Sequence, residues 1–313
     1  MQERKNGFQI EYVLMLIVSF FWAIGHPLGR ILLEKLHPFQ LSTITLASGF
    51  IGLMIFLIIT GRIRKLFKIP VRDIFISMGL GVLGFFLYQI LTFSALDRIP
   101  ASMNAVLVSN NVVFIAIFAA IILKERIRLA GIAGIILAVA GVVLVTFNQG
   151  FNLGNGSGNI SILGCSFSLL AAISAALYSV IGKKVLKEND PLIITAFAIF
   201  SGTVLLTILT ASTVGFSGIA IAGWKINTIS VLLGITMIGV AYPLWFICLK
   251  KFPATQISIY TYLTPVFAVI LSLAILKEKF SWLFWLGGGL ILLGIIITNT
   301  FSSRITLKKK AIS

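Results

Sequence analysis

Acidic residues are scarce in this sequence: nine Asp and Glu among 313 residues, against 25 Lys and Arg. Histidine and cysteine are scarcer still, at two each. Charged residues of both signs make up 11% of the chain, too little to cover a soluble globule of this length. With so few His and Cys, and no carboxylate near the middle of an apolar run, little is left from which to build a metal cluster or a nucleophile with its base. An enzyme is therefore not expected, nor a cofactor or a metal. No Gly-x-x-x-x-Gly-Lys-Ser/Thr occurs, so ATP-driven work has no motif to rest on. Cys165 and Cys248 both fall inside apolar runs, where no conventional extracytoplasmic disulfide forms, and both read as packing residues.

What the chain has in abundance is apolar residues, 58%, with a mean hydropathy of +1.08. Ten apolar runs follow one another, at residues 10 to 32, 39 to 60, 73 to 95, 101 to 123, 128 to 147, 160 to 182, 191 to 213, 227 to 249, 254 to 276 and 282 to 302. Each is long enough to cross about 30 Å of hydrocarbon. The expected fold class is an all-α integral membrane protein of ten transmembrane helices. Nineteen of the 25 Lys and Arg lie on the side of the N-terminus and six on the other. That positive-inside bias puts both termini in the cytoplasm. It also accounts for the net charge of +16, so nucleic acid is not an expected partner.

The chain is also written twice. Asn104 to Glu125 reads NAVLVSNNVVFIAIFAAIILKE, and 153 positions on, Ile257 to Glu278 reads ISIYTYLTPVFAVILSLAILKE. The same ungapped offset carries Pro38 onto Pro191, Gly81 onto Gly234, Pro100 onto Pro253 and Gly141 onto Gly294. Five helices per copy is an odd number, so the second copy enters the membrane from the opposite face. The expectation is two inverted five-helix repeats, 10–147 and 160–302. A flexible, uncharged linker, 148–159, joins them, and a basic cytoplasmic tail, 303–313, is expected to be disordered.

Polar and aromatic residues within the spans are the candidates for a solute site. Trp22, His26 and Gly29 share a face of the first span beside Pro27, which either kinks the helix where solute passes or merely shapes packing. His26 reads as a hydrogen-bonded packing residue or as a proton carrier. Tyr88 in the third span and Tyr242, Pro243 and Trp245 in the eighth read as interfacial anchors or as pore-lining residues, and Tyr88 and Tyr242 lie too near the helix centres for headgroup depth. Asn104 and Asn111 share a face of the fourth span, and Tyr260, Thr264 and Pro265 answer in the ninth. These amides and hydroxyls form either a polar binding wall or interhelical hydrogen bonds. Tyr178 completes the set from the sixth span. Together Trp22, His26, Tyr88, Asn104, Asn111, Tyr178, Tyr242, Trp245, Tyr260 and Thr264 are the expected substrate-binding residues, with Pro27, Pro243 and Pro265 as hinges. Lys124-Glu125 and Lys277-Glu278 are expected to cap helices and pair between loops. The basic segment 61 to 73 is expected to touch anionic lipid headgroups. Small-residue stripes with Gly134, Ala138 and Gly141, and with Gly287 to Gly289 and Gly294, fit contact within the bundle or between protomers, leaving monomer or weak homodimer open.

Trp22 through Arg30, Tyr178 to Lys183, the two runs ending in Leu-Lys-Glu, and the glycine-bearing helices with Gly141 or Gly294 together resemble the EamA family of the drug/metabolite transporter superfamily. The resemblance implies alternating access through a central cavity in the bacterial cytoplasmic membrane, and export of amino acids or related metabolites and drugs. Relatives that move nucleotide sugars or triose phosphates keep another substrate class open, and a non-transporting scaffold on the same fold is the remaining alternative. Two departures stand out: Val112 follows Asn110-Asn111 where members often carry proline, and Trp22-Ala23 replaces the frequent Trp-Gly. With no midplane carboxylate, facilitated diffusion or exchange is favoured over tight proton coupling, His26 being the exception.

Overall fold

The computed structural model describes residues 10–123, 161–252, 254–278 and 280–309, together with parts of 132–144. No β-strand occurs among them. The longer helices, numbered in chain order, are α1 (Ile10–Leu32), α2 (Pro38–Ile59), α3 (Val71–Leu96), α4 (Ala101–Ile122), α5 (Ile132–Gly141, described in part), α6 (Ile162–Val185), α7 (Pro191–Thr213), α8 (Trp224–Lys251), α9 (Leu263–Leu276) and α10 (Trp282–Lys309). Seven of them, α1 to α4 and α6 to α8, are long and apolar enough to cross a membrane. Lys124, Glu125 and the linker 148–159 lie outside the described residues.

Corresponding helix starts are built alike. His37 is the N-cap of α2, its Nδ1 accepting from the N–H of Phe39 at 3.2 Å, while Gln40 Oε1 accepts from the N–H of His37 and Pro38 opens the helix. At the equivalent place Asp190 caps α7, accepting from the N–H of Leu192 at 3.1 Å, and Pro191 follows. Burial pushes the Asp190 carboxyl up, but the Lys65 ammonium at 2.8 Å, the Leu192 N–H and the charge of Arg62 outweigh it and hold it below the ordinary carboxylate range.

Four spans depart from continuous α-helix. Both α3 and α8 pass through a π-helical segment, Val82–Leu87 and Ile235–Ala241, again 153 residues apart. Helix α4 breaks at Ser109-Asn110 without any proline. There Ser109 Oγ donates to the carbonyl of Val106 at 2.6 Å, and Asn110 Nδ2 donates to those of Val106 and Leu107 at 3.3 and 3.0 Å. Side chains thus take carbonyls that the helix would otherwise use. The ninth span is not continuous either: a short helix, Ala254–Ile257, and a 3₁₀ segment, Ser258–Tyr262, precede α9. The tail differs from expectation as well, since α10 continues to Lys309. After Gly294 no glycine or proline interrupts it, and Arg304, Leu307 and Lys308 are good helix formers.

The packing of the two halves is exchanged. Gly49 of α2 lies against Gly234 and Ile238 of α8; its counterpart Gly202 of α7 lies against Gly81 and Phe85 of α3. Gly25 of α1 meets Met237 of α8, and the counterparts of that pair, Tyr178 of α6 and Gly84 of α3, meet in turn. Arg30 Nη1 donates to the carbonyl of Leu96 at 2.5 Å, while Lys183 Nζ donates to that of Leu249 at 3.3 Å. The glycine contacts between halves therefore recur with the partners' roles swapped, and the Arg30 and Lys183 bonds, each within its own half, correspond. Glycine makes this possible, because a Cβ at Gly49, Gly81, Gly202 or Gly234 would meet a neighbouring backbone or a branched side chain at well under contact distance.

The second Leu-Lys-Glu has a structural role. Glu278 Oε1 accepts from the N–H of Ala101 at 2.9 Å, and Oε2 accepts from the N–H and hydroxyl of Ser102 at 3.3 and 2.5 Å, closing the N-terminus of α4. Lys277 reaches this position with φ at +53°, left-handed for a side chain that ordinarily avoids it. Glu278→Ala is expected to destabilise the protein by about 1–2 kcal/mol, with Glu278→Gln in between, read as the thermal midpoint in detergent. Equal midpoints for all three would show that this cap contributes nothing.

Candidate functional site

The contacts between α1, α3, α6 and α8 enclose an aromatic cluster. On α8 the rings of Tyr242, Trp245 and Phe246 lie one helical turn apart and share a face, while α1, α3 and α6 contribute one ring each. Tyr242 of α8 is central. Its ring centroid is 4.7 Å from that of Phe85 on α3, 5.2 Å from that of Trp22 on α1, and 5.9 Å from that of Tyr178 on α6. Trp22 also meets Trp245 at 5.7 Å, and Tyr178 stacks on Phe246 at 4.8 Å with 12° between planes. These separations are those of favourable edge and offset ring pairs. Tyr178, Tyr242 and Trp245 are buried, whereas Trp22 is partly open. The Trp22 indole Nε1 is buried with no hydrogen-bond partner, which is costly unless solute or water meets it. The two π segments border this cluster: Phe85 lies within one, and Tyr242 and Pro243 follow the other directly.

A second, polar group lies further along α1, α3 and α6, where α4 joins them. Asn104 of α4 is fully buried. Its Nδ2 is 3.4 Å from His26 Nδ1 on α1 and 3.4 Å from the Thr92 carbonyl on α3, and its Oδ1 accepts from Ser168 Oγ on α6 at 2.7 Å. One amide thus ties four helices together. The arrangement suits Nδ1 of His26 as the acceptor of the Asn104 amide N–H.

The remaining candidates lie around the breaks in the fourth and ninth spans. Asn111 starts the second part of α4, and its buried Oδ1 has no partner; the hydroxyl of Thr264, in the first turn of α9, is likewise unmatched. Thr264 precedes Pro265, and the 3₁₀ segment before them contains Tyr260, whose carbonyl accepts from Ser19 Oγ of α1 at 2.7 Å. Tyr88 is partly buried at the end of the first π segment. Pro27 stays within α1, which remains helical through it, while Pro243 and Pro265 stand where non-α segments give way to α-helix. The structure therefore joins Trp22, Tyr178, Tyr242 and Trp245 in one cluster and His26 with Asn104 in another. Phe85, Phe246 and Ser168 belong to these clusters but have no polar signature, or only a common one, to mark them in so apolar a sequence.

Two stretches of the chain, residues 9–147 and 162–300, each match the EamA-like transporter family. An uncharacterized transporter of Clostridium kluyveri is 30% identical over 305 residues, 96% of each chain. One from Archaeoglobus fulgidus is 25% identical over 92% of this chain and 98% of its own, and Bacillus subtilis YetK, also an uncharacterized transporter, 26% over 86% and 81%. A protein of known crystal structure has the same fold at a TM-score of 0.69 and 20% identity, over 96% of this chain and 99% of its own. Matches over both halves, together with helices fit to cross a bilayer, lead to one conclusion: this multi-pass membrane protein belongs to the EamA-like transporter family.

Proposed function

We propose that the protein is a secondary transporter and not an enzyme, moving a small organic metabolite by alternating access. Ten spans form two five-helix halves of opposite orientation, 10–147 and 160–302, with both termini in the cytoplasm and the linker 148–159 between them. The reading is supported by the swapped contacts between halves, by matching π segments in α3 and α8, and by the distribution of Lys and Arg. Two packings related by exchange of the halves have similar energies, so solute held where they meet is exposed to each side in turn.

The observation that carries the proposal is the aromatic cluster at the junction of the halves, with a buried indole N–H left unmatched. Trp22, Tyr178, Tyr242 and Trp245 would hold a ring or apolar portion of the solute. Tyr88, Asn111, Tyr260 and Thr264 would fix its polar ends, and His26 and Asn104 would set the spacing of the helices around it. Amino acids and related compounds combine those two features, and export across the bacterial cytoplasmic membrane is the direction we propose. A metabolite library screened by thermal shift, then counterflow of the hits in proteoliposomes, tests this. Saturable counterflow of at least one amino-acid-like compound is expected. Stabilising compounds with no counterflow would leave a binding scaffold instead.

A further inference from the structure

An apolar slot of about 280 Å³ runs along the outside of α2, α7 and α8, lined by Gly52, Phe56, Leu192, Gly239, Pro243 and Ile247 among others. Its end, at Arg62 and Ile247, is also the wall of a second cleft of about 480 Å³, whose lining includes the charged and amide side chains of Lys65, Asn189, Lys250 and Lys251. The two form one amphipathic groove whose polar mouth lies where α2 and α8 end and α7 begins. Within that mouth Lys65 is paired with Asp190 at 2.8 Å and Lys251 with Glu11 at 2.6 Å. Lys250 Nζ donates to the carbonyl of Asn189 at 2.6 Å, and Arg62 borders both parts of the groove. Glu188 offsets one charge, leaving the mouth net positive.

The duplication supplies an internal control. Moved by 153 positions, Arg62 falls on Gly215, Lys65 on Gly218 and Lys250 on Asp97, while Gly52 falls on Leu205 and Gly239 on Phe86. Where one copy has small residues lining the slot and cations at its mouth, the other has bulk in place of the glycines and has lost three of the four cations. Gly52 is the informative position, because a Cβ there meets Ile235 only at ordinary contact distance, whereas Gly239 packs on the backbone of Gly49.

We propose that this groove binds one anionic phospholipid of the cytoplasmic leaflet, an acyl chain in the slot and the phosphate between Arg62 and Lys250. A guanidinium and an ammonium at the mouth suit a phosphate monoanion. The slot opens at hydrocarbon depth, and the mouth lies on the side that holds most of the basic residues, where anionic headgroups are attracted. Because Ile235, Gly239, Val240 and Pro243 line the slot, the chain lies along the π segment of α8 and braces it. The inference rests on the membrane orientation proposed above but not on solute flux.

Native mass spectrometry of the full-length protein, released from micelles holding equal phosphatidylglycerol and phosphatidylcholine, tests it. One phosphatidylglycerol per chain is expected, retained about tenfold over phosphatidylcholine, with Arg62→Gln/Lys250→Gln cutting that preference about tenfold. Gly52→Leu, which installs the residue of the other repeat, is expected to lower retention of the lipid while the protein still elutes as a folded species. Equal retention of the two lipids, or an unchanged preference in the double variant, would overturn the proposal. So would displacement of the lipid by inorganic phosphate at equal concentration, which would mark a site for free anions. Failure of the orientation is seen separately, by labelling Glu34→Cys and Lys187→Cys.

Discussion

Gly81→Ala and Gly234→Ala are each expected to lower the unfolding free energy by about 1–3 kcal/mol, and by similar amounts. A Cβ at Gly81 would run into the hydroxyl of Ser201 and the backbone of Ala198; at Gly234 it would run into the hydroxyl of Ser48 and the backbone of Thr45. In both places the obstacle is helix backbone, which cannot swing aside as a long side chain can. The sites are counterparts of one another, so the pair measures one interface twice. Gly79→Ala is the control: its Cβ meets nothing within 4 Å, and within a helix it is expected to be neutral or to stabilise by up to about 1 kcal/mol. Thermal midpoints in one detergent, for all three variants, check this. Loss at only one of Gly81 and Gly234 would show that the two packings are not equivalent.

Tyr242→Ala is expected to reduce counterflow at least about tenfold, roughly 1.4 kcal/mol. Its ring contacts three helices, pairing with Trp22, Phe85 and Tyr178, and each such pair contributes about 0.5–1.5 kcal/mol. Truncation also opens a cavity, so rates must be compared at equal amounts of monodisperse protein. Tyr242→Phe keeps the ring pairs and is expected to retain most of the flux if the ring is what matters. Flux lost equally in both variants would move the role to the hydroxyl, and flux unchanged in both would take Tyr242 out of the site.

Seven of the spans were legible because length and hydropathy are properties of the sequence alone: α1 and α7 begin and end where the apolar runs do, at 10 to 32 and 191 to 213. The π segments were not. Gly81, Gly84, Gly234 and Gly239 announce close helix approach, but their spacing is the same for a helix that keeps i, i+4 bonding and for one that slips to i, i+5, as α3 and α8 do. The break in α4 was hidden for a related reason. Without a proline, Ser109 and Asn110 read like polar residues of any packing helix, and only their bonds to Val106 and Leu107 reveal the turn. Of the candidate aromatics, Trp22, Tyr178, Tyr242 and Trp245 meet in one cluster. Asn104 shows the limit of such reading, since a buried amide satisfied by His26, Thr92 and Ser168 and a buried amide left open, as in Asn111, look the same on a helical wheel.

The opposed orientation of the halves is the claim on which transport by exchange depends. Glu34 and Lys187 occupy equivalent, exposed positions just after α1 and α6. In intact cells, with Cys165 and Cys248 replaced, a membrane-impermeant maleimide is expected to label Glu34→Cys and to reach Lys187→Cys only after the membrane is opened. Labelling of both, or of neither, before permeabilisation would place the halves in the same orientation and contradict the account.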